Sequence, residues 1–178
     1  RNVVKMQHSG QTPQARVLTI TSGKGGVGKS NMAVNLAVQL SRLGKKVIIF
    51  DADIGLANVE VMFGSIPKYN LSDVLYKGMA MRDIISNGPM DIGFISGGSG
   101  IVELNNLTRE QIMSIVSKLS ELDSMADVIL IDTGAGISDS VMEFVIASPE
   151  VLLITTPDPS SLTDSYSLIK TLYRNRQF

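Results

Sequence analysis

The sequence predicts an α/β fold, a mostly parallel central sheet flanked by helices on both faces. Three observations predict it. Five short runs rich in Val and Ile are apolar on consecutive positions: "VLTI" (17–20), "VIIF" (47–50), "IGFI" (92–95), "VILI" (128–131) and "VLLIT" (151–155). Continuous apolarity of this kind marks strands buried on both faces. Amphipathic stretches separate the runs, and alternating strands and helices require crossover connections and hence a parallel sheet. The third observation is a glycine-rich stretch, "GKGGVGKS" (23–30), between the first run and the first helix.

Taken in order, residues 1–15 form a polar arm with Gly10, Pro13 and the sole histidine, His8, which has no ligand partner in the sequence around it. A phosphate-loop domain is expected over 16–178. With 44% hydrophobic residues in a chain of 178, it can bury a substantial core. The first helix, 30–44, places Met32, Leu36, Val38, Leu40 and Leu43 near one side and ends at Gly44. Segment 54–90 is expected to hold short helices around "NVEVMF" and "LSDVLY", with Met79, Met81 and Met90 as core filling. Thr108 and Gln111 have capping-box spacing at the start of a helix over 108–122. Two further helices are expected over 138–147 and 161–172.

Composition removes several classes of function. The sequence has no cysteine, so disulfides, thiolate metal sites and iron–sulfur clusters are excluded, and a reducing cytosol is the expected setting. Lys plus Arg is 16 against 17 for Asp plus Glu, which gives no general electrostatic reason to bind nucleic acid. No apolar run approaches the ~20 residues of a membrane span.

Gly23-Lys24-Gly25-Gly26-Val27-Gly28-Lys29-Ser30 matches G-x-x-x-x-G-K-[ST]. Glycines let successive N–H groups turn inward on an anion, and the helix that follows adds its unpaired N–H groups and dipole. Lys29 can then reach the β- and γ-phosphates, and the Ser30 hydroxyl can ligate Mg²⁺ directly. Preceded by a buried-type strand and followed by an amphipathic helix, the motif reads as a P-loop NTPase site.

Acidic residues complete such a site. Asp132 ends "VILID" and fits the residue that holds the metal's water shell. Asp51 and Asp53 end "VIIFDAD" and reach the same rim of a parallel sheet. Asp51 is a candidate for supporting Mg²⁺ through water, and Asp53 for orienting the water that attacks the γ-phosphate. For each, a loop aspartate capping a helix start is the alternative. "TGAG" (133–136) after Asp132 reads either as a backbone that responds to a γ-phosphate, with Thr133, Gly134 and Gly136 in a switch alongside Asp53 and Asp132, or as a tight turn.

Lys24 to Ser30, K-G-G-x-G-K-[ST], resembles the deviant Walker A motif of the MinD/ParA ATPases. The resemblance runs from roughly Val17 to Leu172 through "DADIGLANVEVMFG", "VILIDTGAG" and "VLLITTPDPSSLTDSYSLIKTL". Ser30-Asn31, the "GLANVE" after Asp53, and Asp132-Thr-Gly-Ala-Gly are most similar to the branch that regulates flagellar number and placement (FlhG/YlxH/FleN). The resemblance implies ATP and Mg²⁺ as ligands, nucleotide contacts from residues 23–31, and hydrolysis to ADP and phosphate governed by Asp53. It implies an ATP-dependent homodimer in which Lys24 touches the partner subunit's phosphates. The implied partners are a signal-recognition-type flagellar GTPase and flagellar switch or C-ring proteins, without sequence-specific nucleic acid. Cytoplasmic placement is implied, with peripheral contact on the inner membrane face through a C-terminal helix absent from this chain. That helix and the family's adenine-contacting segment would fall after Phe178, so the chain reads as truncated there. The branch's N-terminal DQAxxLR element is not seen in this sequence, although Arg1 could be its last residue, with "NVVK" continuing the helix.

Related families compete. Nitrogenase-reductase-like and tail-anchor-targeting ATPases need cysteines, and bacterial tyrosine kinases add a tyrosine-rich tail, whereas Tyr69, Tyr76, Tyr166 and Tyr173 are scattered. A septal MinD, a ParA-type partition ATPase and a nucleotide-held scaffold without turnover remain as alternatives.

Overall fold

The computed structural model describes residues 14–98 and 107–174. Strand β1 (Arg16–Ser22) leads through the glycine loop into α1 (Lys29–Arg42), then β2 (Val47–Ala52). Two short helices follow, α2 (Val59–Phe63) and α3 (Leu71–Lys77), then β3 (Ser86–Asn87) and β4 (Gly93–Ile95). Helix α4 (Arg109–Lys118), β5 (Val128–Ala135), α5 (Asp139–Ala147), β6 (Glu150–Ile154) and α6 (Pro159–Arg174) complete the order. The sheet runs β3-β4-β2-β5-β1-β6, parallel throughout except for β3, which pairs antiparallel with β4. This agrees with the expected fold class.

Because side chains alternate across a strand, the buried strands feed two cores. Ile48, Phe50, Ile129 and Ile131 face one side with Val74 of α3, Ile112 and Ile115 of α4 and Phe144 of α5. Ile20, Ile49, Leu130 and Phe94 face the other with Ala33 and Ala37 of α1 and Val59 of α2. Phe50 and Phe144 meet edge to face at 5.6 Å, the aromatic centre of the first core.

Several expectations need correction. The buried stripe of α1 is centred on Ala33 and Ala37, while Met32 and Leu43 are exposed. Small residues let the helix backbone approach the sheet, with Leu36, Val38 and Leu40 packing partly buried around them as expected. Met81 is fully buried and Met79 packs on the core, but Met90 is exposed with a left-handed backbone (φ 56°), so it fills no core. The two-residue β3 had no sequence signal. The Thr108–Gln111 capping box is formed in both directions, at 3.3 and 2.8 Å. The helix it opens gives way to a 3-10 turn at Leu119–Leu122. Most of the polar arm expected over 1–15 lies outside the described residues, though Ala15 is already buried.

Truncating Phe144 to Ala should cost about 3–5 kcal/mol, since it opens a cavity against Phe50 that the packed strands cannot close. Leu43→Ala, at an exposed helix end, should change stability by less than about 0.5 kcal/mol. Urea denaturation of both variants against the parent chain checks the pair.

Candidate phosphate-binding site

Parallel register gathers the site at one edge. Ile20 of β1 and Asp51 of β2 each lie opposite Asp132 of β5, so two carboxylates sit side by side across adjacent strands. Asp132 is not a strand end: β5 continues to Ala135, and Thr133 and Ala135 pair with Ala52 and Ser22. Thr133 is buried, its hydroxyl within 3.1 Å of Thr21 Oγ1 and donating to Gly134 O at 2.8 Å. Gly134 is in the strand as well. Of the "TGAG" segment, Gly136 makes the turn (φ 90°), and its N–H donates to Ser22 O at 2.8 Å. The candidate switch therefore begins as sheet and turns only at its last glycine, beside the start of the phosphate loop.

The loop itself is shaped by glycine at two kinds of position. Gly28 caps α1 with φ 91°, a conformation that side chains disfavour. Gly23 faces a different demand: a Cβ there would come within 2.3 Å of the Asp164 carbonyl carbon and 2.4 Å of Ser165 N. Helix α6 thus lies directly on the loop's first residue. The Ser22 hydroxyl donates to Lys24 O at 2.9 Å and fixes the loop's entry. Gly25, Gly26, Gly28, Lys29, Ser30 and Asn31 line a cleft of about 370 Å³, with Asp53, Asn58, Val61 and Met62 on its far wall. Of the expected residues 23–31, Gly23, Lys24 and Val27 do not line it.

Lys29, the first residue of α1, is buried at 7% exposure and its Nζ lies 2.5 Å from Asp132 Oδ1 and 3.5 Å from Ser30 Oγ. The second Asp132 oxygen, Oδ2, is buried without a hydrogen-bond partner. An unpaired buried carboxylate oxygen is costly, and it calls for a cation or a donor. Asp132 and the neighbouring Ser30 hydroxyl therefore fit Mg²⁺. Among the described residues, no group of three or more His, Cys, Asp or Glu side chains could hold a metal by itself. That suits Mg²⁺, which keeps several waters and takes much of its coordination from substrate phosphates.

The other two aspartates differ from each other. Asp53 lines the cleft, and burial raises its carboxyl above the ordinary range; Lys29 opposes that rise and Asp132 adds to it. Asp51 is fully buried, and both its oxygens accept backbone N–H groups: Oδ2 from Asn58 at 2.7 Å and Val59 at 2.8 Å, Oδ1 from Asp53 at 3.2 Å. These contacts follow the helix-capping alternative for Asp51 rather than the metal-water one. Burial pushes its carboxyl up to about 7 against the pull of the Val59 bond, with Asp132 raising it further.

Lys24 points elsewhere. Its Nζ is 2.9 Å from Asp158 Oδ2 and 2.5 Å from Ser160 Oγ, an exposed cluster at the start of α6. Asp158 also accepts from Ser160 Oγ (2.6 Å) and Ser161 N (3.3 Å), and these bonds with Lys24 hold its carboxyl down to about 2. Asp158 and Ser160 were not singled out in the sequence, although Asp-Pro-Ser before a helical stretch is an N-cap signature that could have found them. Asn58 was also missed, since nothing in its sequence context predicts that its amide would come 3.5 Å from Asp53 Oδ2.

Asp51 generates a pH dependence of unusual sign. Its folded pKa, about 7, lies above its unfolded value near 3.8, so the folded state keeps the proton more tightly. Its contribution to stability is therefore greatest below about pH 4 and falls as pH rises to about 7. The stability of the parent chain relative to Asp51→Asn should decline across that window and level off above it, as read from denaturation midpoints.

Comparison with known proteins agrees with this geometry. The ParA family model, described as NUBPL iron-transfer P-loop NTPase, matches residues 14–175. Antiactivator FleN of Pseudomonas aeruginosa is 42% identical over 170 residues, covering 96% of this chain and 61% of FleN. Flagellum site-determining protein YlxH of Helicobacter pylori is 41% identical over 170 residues, covering 90% of this chain and 55% of YlxH. The chain thus spans under two thirds of either relative. Among solved structures, septum site-determining MinD of Pyrococcus horikoshii, complexed with Mg-ADP, superposes with a TM-score of 0.78 at 28% identity over 90% of this chain and 66% of that one. The chain belongs to the ParA/MinD family of P-loop NTPases.

Proposed function

We propose that the chain is the nucleotide-binding part of a switch ATPase that dimerises with ATP, is reset by slow hydrolysis, and regulates flagellar number or placement. The observation that carries this reading is the division of labour between two lysines. Lys29 is buried beside Asp132 in the phosphate cleft, whereas Lys24 stands outside the cleft with its side chain 43% exposed, available to a second subunit. The flagellar role rests on the similarity to FleN and YlxH, which exceeds that to the MinD structure.

On this reading, incoming ATP draws Lys29 from Asp132 toward the β- and γ-phosphates, while the loop N–H groups and the α1 N-terminus hold the remaining charge. Ser30 and Asp132 are the residues that would hold Mg²⁺, which would supply charge neutralisation to the phosphates. Asp53 orients a water for attack on the γ-phosphorus and accepts its proton; the bond to the β–γ bridging oxygen breaks, leaving ADP and phosphate. The raised pKa of Asp53 suits proton acceptance. The signal-recognition-type flagellar GTPase, flagellar switch or C-ring proteins, and the cytoplasmic face of the membrane are the proposed partners of the full-length protein.

Asp53→Ala should lower turnover by at least ~10²-fold, the scale of a lost general base, while Mg-ATP affinity measured by calorimetry stays as in the parent chain. Turnover at the parent rate would remove Asp53 from the mechanism. A parent chain that binds Mg-ATP but never turns it over would favour the scaffold reading.

A further inference from the structure

The loop that carries Asp53 is fastened at both ends to one side chain. Asp51 lies in β2, held by pairing to β5. Its carboxylate takes the N–H of Asp53 at the loop's start and those of Asn58 and Val59 at its end. Between these points, Leu56 N donates to Asp53 O at 3.0 Å and closes a turn. Helix α2 has five residues, too few to persist by itself, so the two N–H groups at its start need this acceptor. The same helix brings Val61 and Met62 to the cleft wall, and Asn58 brings its side-chain amide 3.5 Å from Asp53 Oδ2. A carboxylate offers about four lone-pair sites. Three are committed to backbone.

We infer that Asp51 is a positioning residue: its carboxylate staples residues 53–59 to the end of β2 and so aims Asp53 at the phosphate cleft, rather than supporting the metal's water shell. The inference rests on the reading of Asp53 as the group that orients the attacking water. The two roles make different demands on the same atoms. A metal-water role needs Asp51 oxygens turned toward Ser30 and the phosphate loop; here they are turned toward the loop of residues 53–59. Asp132, its register partner, keeps the buried unpaired oxygen that a metal's water shell would use. The two adjacent aspartates thus divide the work, Asp132 serving the ligand and Asp51 serving the loop.

Asp51→Asn keeps the shape but replaces one acceptor oxygen with a donor facing backbone N–H groups. Two measurements on this variant at pH 8 test the inference. Hydrogen exchange without nucleotide should accelerate by about tenfold or more for the amides of 58 and 59, with β1 and β5 amides unchanged, as local opening of one unit requires. In steady-state kinetics, kcat should fall by roughly 10²-fold, the scale of a misplaced catalytic group, with KM for ATP and half-saturating Mg²⁺ unchanged. Asp132→Asn in parallel should raise half-saturating Mg²⁺. If Asp51→Asn does not fold, a backbone ester at Val59, which deletes one donor and no side chain, must give the same loss of kcat. Unchanged exchange, or a raised Mg²⁺ requirement in Asp51→Asn, overturns the staple. A parent chain without turnover, by contrast, defeats the reading of Asp53 and with it the positioning claim, while the exchange result still reports on the staple itself.

Discussion

One buried ammonium group decides what the carboxyl edge of this sheet can be. Lys29 is the cation paired with Asp132, beside which β2 places Asp51 and, one step further on, the loop places Asp53. Charges this deep are costly unless paired and fully hydrogen-bonded. Lys29 meets one oxygen of Asp132, the backbone meets both oxygens of Asp51, and one Asp132 oxygen is left over. An apolar residue at either position would pack more cheaply. The arrangement makes sense as a site whose electrostatics are completed by a polyanion with its counter-cation.

The rest of the molecule serves to hold that edge. Small residues in α1 bring the helix close to the sheet, so that its first residue, Lys29, emerges at the carboxyl ends of β1 and β5. Gly23 lets α6 lie against the phosphate loop, and Asp158 just before that helix and Ser160 in its first turn take Lys24. The loop that would sense phosphate and the helix that holds the second lysine are therefore in direct contact. For a switch this matters, because a ligand can shift an equilibrium only by interacting differently with its two states. Exchanging Lys24 from Asp158 to a neighbouring subunit's phosphates would be such a difference, made at the surface, where ion pairs are weak and readily traded.

Much of this was legible in the sequence, and what was not has a physical reason. Parallel strands buried on both faces announce themselves as unbroken Val and Ile runs, so β1, β2, β5 and β6 could be placed to within a few residues. The phosphate loop was legible because its chemistry demands fixed residue types at fixed spacing. Met32 and Leu43 have the hydrophobicity of a buried stripe but not its position, because Ala33 and Ala37, small enough for close approach, face the sheet instead. Asp132 and Thr133 looked like the beginning of a loop because glycine follows them, yet the backbone stays paired to β1 and β2 through Ala135. The contacts of Asp51 lie with N–H groups seven and eight residues away, and those carry no residue-type signature. Lys24 pairs with Asp158, 134 positions distant; the Asp-Pro-Ser pattern marks a helix start there, but nothing in it names Lys24 as the partner.

The most direct test of the switch is the sedimentation of the Asp53→Ala protein with Mg-ATP, compared with Mg-ADP and with a Lys24→Ala, Asp53→Ala double variant, after nucleotide binding has been verified for each. The account predicts a dimer with Mg-ATP alone, lost when Lys24 is replaced. A monomer in every condition, with nucleotide demonstrably bound, would contradict it.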